Sequence, residues 1–344
     1  GRALQGAGAI AAAIMALAAD LTREQHRTKT MALIGMSIGV AFALALILGP
    51  VLNNFIGVPG IFALTAVLAI GGVLVVMFIV PRPAEQRIHR EAEAIPAQFA
   101  RILTHGQLLR LDAGIFILHA VLMGTFVVLP LVLRDEAAVL AANHWKIYLP
   151  VLVCSVVLMI PFIFLADRRG YTHAVFLVAI ALLMLALVGM YALPPSLVTV
   201  VALLLVFFTA FNLLEAMLPS LVSRVAPADC RGTAMGFYSS AQFMGAFVGS
   251  VVAGWLHGLY GLHAFFLCAA LTVLVWLLLA RGMVVPAKLS TYVYRLAGPP
   301  VADGEALAAQ LRALAGVAEA VVVADEGVAY LKIDRRVFNE SSLP

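Results

Sequence analysis

Charged residues are scarce in this sequence. Asp, Glu, Lys and Arg make up 12% of its 344 residues, whereas a soluble globular domain carries roughly 25%. Hydrophobic residues reach 63%, and the mean hydropathy is +1.05. A chain with so little charge cannot give a hydrophobic core a polar exterior in water. The composition therefore excludes an ordinary soluble domain and predicts a protein embedded in a lipid bilayer.

Cysteine is also rare, and motifs for nucleotide or metal binding are missing. Cys154, Cys230 and Cys268 form no CxxC or Cys/His spacing, so neither a disulfide framework nor a metal site is predicted. The sequence has no GxxxxGK[ST] loop, no HExxH and no Ser/His pairing, so we expect no enzyme activity and no cofactor. The net charge of +4 does not indicate nucleic-acid binding, because the basic residues lie in short loops between apolar runs.

Long apolar runs make up most of the chain. A helix needs about 20 apolar residues to cross the hydrocarbon core of a membrane. Nine runs approach or exceed that length, and they cover residues 3–19, 31–56, 61–80, 111–133, 147–166, 173–193, 197–222, 233–256 and 264–284. We therefore predict an all-α, multi-pass membrane protein with about nine transmembrane helices.

The loops between these runs alternate in charge. Every second loop is rich in Lys and Arg, as in residues 81–110 and 223–232, whereas the others contain only Arg134 and Lys146. Short loops rich in Lys and Arg stay on the cytoplasmic side of a membrane. We therefore expect the N-terminus of this chain outside and its C-terminus in the cytoplasm.

Two segments about 200 residues apart resemble each other. Arg27-Thr-Lys-Thr-Met31 aligns with Arg231-Gly-Thr-Ala-Met235, and each opens an apolar run after a basic loop. Such a repeat is typical of a transporter built from two six-helix halves. On this interpretation, the chain contains three parts of a twelve-helix parent: helices 4–6 of the first half, a central cytoplasmic loop and a complete second half. These parts are residues 1–80, 81–110 and 111–285.

The C-terminal segment, residues 288–344, has a different character. It contains patterns typical of a strand, a helix and two further strands, at residues 291–296, 303–315, 318–324 and 328–334. The order β-α-β-β is the first part of a ferredoxin-like fold. A second helix is expected after Arg336, so we expect a small cytoplasmic α+β domain that is truncated at Pro344.

Ionisable residues inside the apolar runs are the main candidates for function. A charge at the bilayer centre costs about 2.5–3.5 kcal/mol, so it normally faces a cavity or a partner. Glu215 is the first candidate, because Pro219 removes the backbone donor that would bond the Glu215 carbonyl, and Asn212 lies one turn before it. We predict proton coupling or substrate contact for this group. A structural, hydrogen-bonded glutamate is the alternative.

Three other polar residues in the runs are weaker candidates. His119 is suited to relaying a proton, because histidine titrates near physiological pH. Gln242 is a polar residue in a helix of small residues, and Arg2 would need a carboxylate or a water-filled cavity. A structural role stays open for all three.

Glycines in the apolar runs predict close helix packing. Gly245 and Gly249 form a small-xxx-small stripe, which lets two helices approach closely. The turn Asp167-Arg168-Arg169-Gly170 lies in a basic loop. It is either a capped loop that obeys the charge rule or part of a gate.

Several motifs resemble the major facilitator superfamily. Residues 1–8 resemble the fourth-helix motif of its drug/proton antiporters, in which the residue matching Arg2 is linked to proton transfer. Gly49-Pro50 resembles the fifth-helix antiporter motif, although Ala45 and Asn53-Asn54 stand where that motif has glycines. The segment from Asp20 to Arg27 resembles the loop that follows the fourth helix, and Asp167-Arg-Arg-Gly170 resembles the second-half copy of the superfamily's loop signature. We expect the cytoplasmic gating loops to contain Asp20, Arg27, Asp167, Arg168, Gly170 and Arg231.

Longer stretches resemble the YajR-type group of this superfamily, which is regarded as a group of proton-driven exporters. Residues 144–149, 211–220 and 231–236 carry the resemblance, and the group also has a C-terminal ferredoxin-like domain. The resemblance implies a major facilitator fold in a bacterial inner membrane. It also implies export of small organic compounds by alternating access, driven by proton entry.

Alternatives to this function remain open. The altered motif at Gly49-Pro50 keeps proton-coupled uptake and facilitated diffusion possible, and a membrane-anchored sensor would act through residues 288–344. The expected partners are a small-molecule substrate, protons and the lipid bilayer, with no nucleic acid. We expect a monomer.

Overall fold

The computed structural model describes residues 27–81, 96–169, 171–226, 230–283, 290–295, 304–323, 328–333, 337–340 and 343. The chain divides into two compact units, Gly1–Val284 and Val285–Pro344. The described part of the first unit is all-α, and that of the second combines a helix with a sheet. The predicted fold class is confirmed.

The described residues of the first unit form eight α-helices. They are α1 (Arg27–Phe78), α2 (Pro96–Leu103), α3 (Gly106–Asp135), α4 (Trp145–Arg169), α5 (Thr172–Ala192), α6 (Leu197–Val225), α7 (Arg231–Tyr260) and α8 (Ala264–Arg281), with a 3-10 turn at Ala141–Asn143 before α4. Seven helical stretches in the described residues, one in α1 and one in each of α3–α8, are long and apolar enough to cross a membrane. The predicted run 3–19 lies outside the described residues.

Helix α1 contains two of the predicted runs, 31–56 and 61–80, which meet at a break. Gly57 has φ 65° and ψ 176°, which is not helical. A positive φ is favourable for glycine because it has no Cβ atom. Pro59, two residues later, has no N–H to continue the helical hydrogen bonds. The boundary predicted between the two runs is therefore present in the backbone at Gly57.

The sequence predicted a loop at residues 81–110, but the structure has the helix α2 within them. Phe99 and Ile102 are three positions apart and share one face of this short helix. Ile102 is 1% exposed, and the Phe99 ring lies 5.3 Å from that of Phe237 on α7. Burial of this small apolar face explains why a polar segment becomes helical here.

Helices α3 and α7 make the closest contact in the bundle. A Cβ atom added to Gly245 would overlap the backbone carbonyl oxygen of Phe116, and one added to Gly249 would overlap that of Ala120. The glycines therefore allow the two backbones to touch, which is the usual role of small residues between membrane helices. Elsewhere α5 packs against α6 and α8, and α4 packs against α6.

Many large apolar side chains of the first unit are exposed. Phe55, Phe243, Phe247 and Trp255 each expose more than half of their surface. Extensive apolar surface is unfavourable in water. It is the expected exterior of helices that are surrounded by lipid.

The second unit contains an antiparallel three-stranded sheet and one helix. Its elements are β1 (Ser290–Arg295), α9 (Gly304–Arg312), β2 (Val317–Val323) and β3 (Val328–Ile333), and the strand order is β1-β3-β2. Leu311 of α9 packs against Ala329 and Leu331 of the sheet, and all three are fully buried. The predicted order β-α-β-β is present, with the third strand between the first two, as in a split βαβ unit.

Gly316 ends the turn after α9 and lies against the last described segment. Its φ is 85°, and an added Cβ atom would lie 2.6 Å from the backbone nitrogen of Phe338. The Phe338 ring in turn packs on Tyr292, with ring centroids 5.4 Å apart. The second helix predicted after Arg336 is not present in residues 337–340, which form a turn and irregular backbone. The packing of Phe338 on β1 accounts for that difference.

Candidate functional site

Three polar side chains from three different helices meet inside the bundle. His119 lies on α3, Glu215 on α6 and Gln242 on α7. His119 and Gln242 are 123 residues apart in sequence, and Gln242 and Glu215 are 27 apart. The structure thus brings together three residues that the sequence singled out independently. We call them the His119–Gln242–Glu215 cluster.

Gln242 lies between the other two side chains. Its Nε2 atom is 3.3 Å from Glu215 Oε1 and 2.8 Å from His119 Nε2. An amide nitrogen can only donate, so His119 Nε2 accepts and the proton of the neutral imidazole is on Nδ1. His119 Nδ1 is 3.8 Å from Glu215 Oε2. The Glu215 carboxyl group therefore accepts one hydrogen bond, from Gln242 on α7, while the His119 ring on α3 lies beside it beyond hydrogen-bond distance.

The three groups differ in exposure. His119 is 9% exposed, and the ring of Phe211 packs against it at 5.8 Å between centroids. The Glu215 side chain is 37% exposed as a whole, yet its Oε2 atom is buried and has no hydrogen-bond partner among the described residues. The Glu215 side chain is therefore partly exposed, while the His119 imidazole is enclosed.

The local sequence positions Glu215 without interrupting its helix. Helix α6 continues through Pro219 to Val225. Proline has no N–H, so it cannot donate to the carbonyl oxygen four residues earlier, which belongs to Glu215. Pro219 thus leaves a backbone acceptor beside the carboxyl group, as the sequence predicted.

Asn212 does not belong to the cluster. Its Nδ2 donates to Ser155 Oγ on α4 at 2.9 Å, and Ser155 Oγ donates to the Leu152 carbonyl at 2.8 Å. Residues three apart on a helix differ by about 60° in direction, so Asn212 and Glu215 reach different neighbours. In the described residues Asn212 links α6 to α4, and its part in a substrate or proton pathway stays a prediction.

The other predicted site residues lie away from the cluster or outside the described residues. Arg2, Asp20 and Gly170 are outside them. Gly49 and Pro50 lie within α1, and no described atom is within 4 Å of a Cβ added to Gly49. The remaining predicted gating residues lie at helix ends. Arg27 is the first described residue of α1, Asp167 and Arg168 lie in the last turn of α4, and Arg231 begins α7.

Two polar groups near the cluster were not predicted. Asp112 lies two turns before His119 on α3, and Tyr238 lies one turn before Gln242 on α7. Asp112 is the second residue of the predicted run 111–133. Helix α3 begins at Gly106 instead, which places Asp112 well inside the helix. The number of consecutive apolar residues gives the length of the membrane-spanning run, but it does not show at which residue the helix begins.

A second polar contact joins helix ends on the opposite side of the bundle. His263 Nε2 lies 2.9 Å from Glu136 Oε1, and His263 Nδ1 lies 3.1 Å from the Met190 carbonyl oxygen. Both ring nitrogens therefore lie within hydrogen-bond distance of an acceptor oxygen. This pair could not be predicted from the sequence, because its members are 127 residues apart.

The cluster is not suited to metal binding. One carboxylate and one imidazole supply two good ligands, and an amide supplies a weak third. Across the described helices and strands, no group of three His, Cys, Asp or Glu side chains is placed to hold a metal ion. Hydrogen bonding and proton exchange are the chemistry that these three side chains can perform.

The sequence matches two family models. Residues 1–250 and 114–309 match the Major Facilitator Superfamily, and residues 295–343 match the YajR YAM domain. The second match covers most of the unit that contains the sheet.

Curated relatives are transport proteins of bacteria. The chain is 40% identical over 339 residues to the inner membrane transport protein YajR of Escherichia coli (strain K12), which covers 98% of this chain and 74% of that protein. It is 31% identical over 251 residues to the uncharacterized transporter BU466 of Buchnera aphidicola subsp. Acyrthosiphon pisum (strain APS), covering 72% and 64%. Over 263 residues it is 28% identical to an uncharacterized transporter of Buchnera aphidicola subsp. Baizongia pistaciae (strain Bp), covering 74% and 65%. The chain thus spans slightly less than two thirds of the length of the Buchnera proteins.

Proposed function

This chain belongs to the Major Facilitator Superfamily, a family of membrane transporters rather than enzymes, and we propose that it is part of a proton-coupled exporter of small organic compounds. The observation that carries the proposal is the position of the Gln242 amide nitrogen, which contacts both Glu215 and His119. A carboxyl and an imidazole that share one donor inside a membrane bundle form a site for binding and releasing a proton.

The Gln242 amide gives this site two arrangements. As observed, its nitrogen donates to a carboxylate and to a neutral imidazole. A proton added to Glu215 Oε1 or to His119 Nε2 converts an acceptor into a donor, and two donors then face each other. Rotation of the amide by half a turn presents its oxygen to the protonated group and restores that hydrogen bond, while the hydrogen bond to the other acceptor is lost. Protonation therefore changes which contacts hold α3, α6 and α7 together.

Alternating access requires that this change favour either the state in which the site opens to the cytoplasm or the state in which it opens to the outside. A proton shifts the balance between two states only by the difference in its binding free energy to them. In this proposal the difference arises because the Glu215 side chain, partly exposed in the observed arrangement, takes another exposure in the second state. The basic loops support a cytoplasmic location for residues 81–110 and for the C-terminal unit.

Everted membrane vesicles that contain the full-length protein test the proposal. Respiration acidifies their lumen, and the quenching of an acridine dye reports the pH difference. Addition of fluorescent organic substrates, beginning with ethidium, should release part of this difference. Glu215→Gln should abolish the release and leave insertion into the membrane intact. The matched control is Asp135→Asn, at the end of α3, where the carboxylate pairs with Arg134.

The outcomes separate the alternatives. Ethidium flux that does not depend on the pH difference would contradict proton coupling and favour facilitated diffusion. Release in Glu215→Gln that equals the wild type would remove Glu215 from the mechanism. Proton movement in the same direction as ethidium would contradict export and favour uptake.

A further inference from the structure

Helix α6 leaves small and polar side chains uncovered in the stretch around Glu215. The large apolar residues of this stretch are buried, namely Leu213, Leu214, Met217 and Leu218. The partly or fully exposed residues are Asn212, Glu215, Ala216 and Pro219, which we call the open face of α6. Exposed faces elsewhere in the bundle carry large apolar side chains, such as Phe243 and Phe247 of α7. A polar face inside a membrane normally lines a water-filled cavity, so the open face suits the wall of a substrate pathway.

The Asn212 amide is held in one orientation by α4. Ser155 is fully buried, and its hydroxyl donates its single hydrogen to the Leu152 carbonyl oxygen at 2.8 Å. The Ser155 oxygen can then only accept, and it accepts from Asn212 Nδ2 at 2.9 Å. The nitrogen end of the amide therefore faces α4. The oxygen end, Oδ1, is left for another partner, and no described group donates to it.

Donors on the neighbouring side chains are already used. Gln242 Nε2 lies between Glu215 Oε1 and His119 Nε2, which are both acceptors. The Thr209 hydroxyl, in the preceding turn of α6, donates to the Leu205 carbonyl oxygen at 2.6 Å. The remaining N–H of His119 belongs to a ring that is 9% exposed, so it is not presented to the open face. As far as it is described, the open face therefore offers acceptors but no free donor.

Three acceptor groups on the open face lack a full set of donors. Asn212 Oδ1 is the first. The Glu215 carboxyl group accepts only from Gln242, and its Oε2 atom has no hydrogen-bond partner among the described residues. The Glu215 backbone carbonyl is the third, because Pro219 has no N–H. Residues one turn apart on a helix have Cβ atoms about 5–6 Å apart, so one small head group can contact both Asn212 and Glu215.

The Glu215 carboxylate also lacks a cation. In the described part of the chain it forms no ion pair with Lys or Arg. Arg224, on the same helix, is nine positions further along, which is about 14 Å along the axis. Its guanidinium donates to Ser220 Oγ at 3.1 Å. An ionised group inside a membrane normally pairs with an opposite charge, so a cationic ligand would supply what the open face lacks.

We infer that Asn212 and Glu215 bind the N–H groups of an organic cation, such as a primary ammonium ion, an inference that names the substrate class of the transport function proposed above. The N–H groups of such a cation donate to Asn212 Oδ1 and to the Glu215 carboxylate, and charge strengthens both hydrogen bonds. A quaternary ammonium ion carries the same charge but has no hydrogen to donate, so it leaves Asn212 Oδ1 unpaired. Asn212 is then a specificity-determining residue, and Ser155 is a positioning residue that acts through it.

Two matched compounds test the inference, phenethylammonium and its N-trimethyl derivative. They share the ring, the linker and the charge, and only the first has N–H groups. Isothermal titration calorimetry on the full-length protein in lipid nanodiscs gives the ratio of their dissociation constants. The wild type should prefer phenethylammonium by about 10- to 100-fold. Asn212→Leu keeps the size of the side chain and removes the acceptor, and it should lower that preference by about 5- to 10-fold.

Ser155→Ala leaves the Asn212 oxygen in place but frees the amide to turn, so it should lower the preference by a smaller factor. Thr209→Val is the matched control, because it removes a hydroxyl of α6 that donates within the helix. Its preference should equal that of the wild type. The trimethyl compound is also larger, so the change in the ratio between variants decides the test rather than the wild-type ratio alone.

The outcomes distinguish this inference from the proposed function. An unchanged ratio in Asn212→Leu, or an equal fall in Thr209→Val, would overturn the inference. Binding of neither compound to the wild type would overturn it as well. Either result, with Glu215→Gln still blocking proton-coupled transport, would leave the proposed function standing. A preference that depends on Asn212, together with ethidium flux that does not depend on the pH difference, would support this site and contradict the proton coupling.

Discussion

His263 holds Glu136 at 2.9 Å through one ring nitrogen while its other nitrogen faces the carbonyl oxygen of Met190. These contacts join the end of α3, the end of α5 and the start of α8. His263→Ala removes both and leaves the Glu136 carboxylate without its donor. We expect a loss of about 1–3 kcal/mol in the free energy of unfolding. The thermal unfolding midpoint of the purified full-length protein measures it.

Gly249→Ala tests the close approach of α3 and α7. The new Cβ atom would overlap the backbone of Ala120, which cannot rotate away, so we expect destabilisation of about 1–3 kcal/mol. Gly254→Ala is the matched control on the same helix, because nothing lies within 4 Å of its added Cβ atom. That control should be as stable as the wild type or gain up to about 1 kcal/mol from helix propensity. Equal midpoints for the two variants would show that the helices are not in contact here.

Asn212→Ala separates the α4–α6 link from proton coupling. Loss of its bond to Ser155 should cost about 1 kcal/mol. Addition of Ser155→Ala should cost little more, and the double-mutant cycle measures that coupling. The pH dependence of transport should stay as in the wild type. A shifted pH dependence would return Asn212 to the coupling site.

His119→Ala and Gln242→Met act on the same hydrogen bond. If the two residues work as one unit, the double variant should transport no more slowly than the slower single variant. Initial rates of ethidium release at one fixed pH difference give the comparison. Multiplication of the two single effects would indicate that the residues act separately.

Gly316→Ala should loosen the C-terminal unit and leave the helical unit intact. The position has φ 85°, and the added atom would meet the Phe338 backbone, so we expect a cost of about 1–3 kcal/mol. Limited proteolysis of the full-length protein should cut faster within residues 285–344 only. Gly304→Ala is the control, since its nearest contact is an ordinary 3.6 Å to Val322. Cleavage at the same rate in both variants would contradict the strain at Gly316.

Much of the architecture could be predicted because it depends on local sequence. The length of an apolar run sets a membrane helix, and alternation with turn residues sets the β-α-β-β order of the tail. The break at Gly57 and the stop at Gly316 were also readable, because a positive φ favours glycine. The repeat indicated that Arg231 opens a helix, and α7 begins there.

The meeting of His119, Glu215 and Gln242 could not be predicted, although each was a candidate. Their contact depends on how α3, α6 and α7 are rotated and shifted against one another, and periodicity within one helix contains no such information. Asn212 shows the same limit, since a spacing of three suggested a shared face and packing gave it a different partner. Asp112 was passed over because α3 begins before its apolar run does.

The glycines of α7 also determine which parts of the cluster can move. Phe116 and Ala120 touch α7 at two points one turn apart, so sliding of one helix along the other would drive a carbonyl oxygen into a Cα atom. We therefore expect His119 and Gln242 to move together with the α3–α7 pair. Separation of Glu215 from them would then require movement of α6, and a distance probe placed between α6 and the α3–α7 pair would follow it.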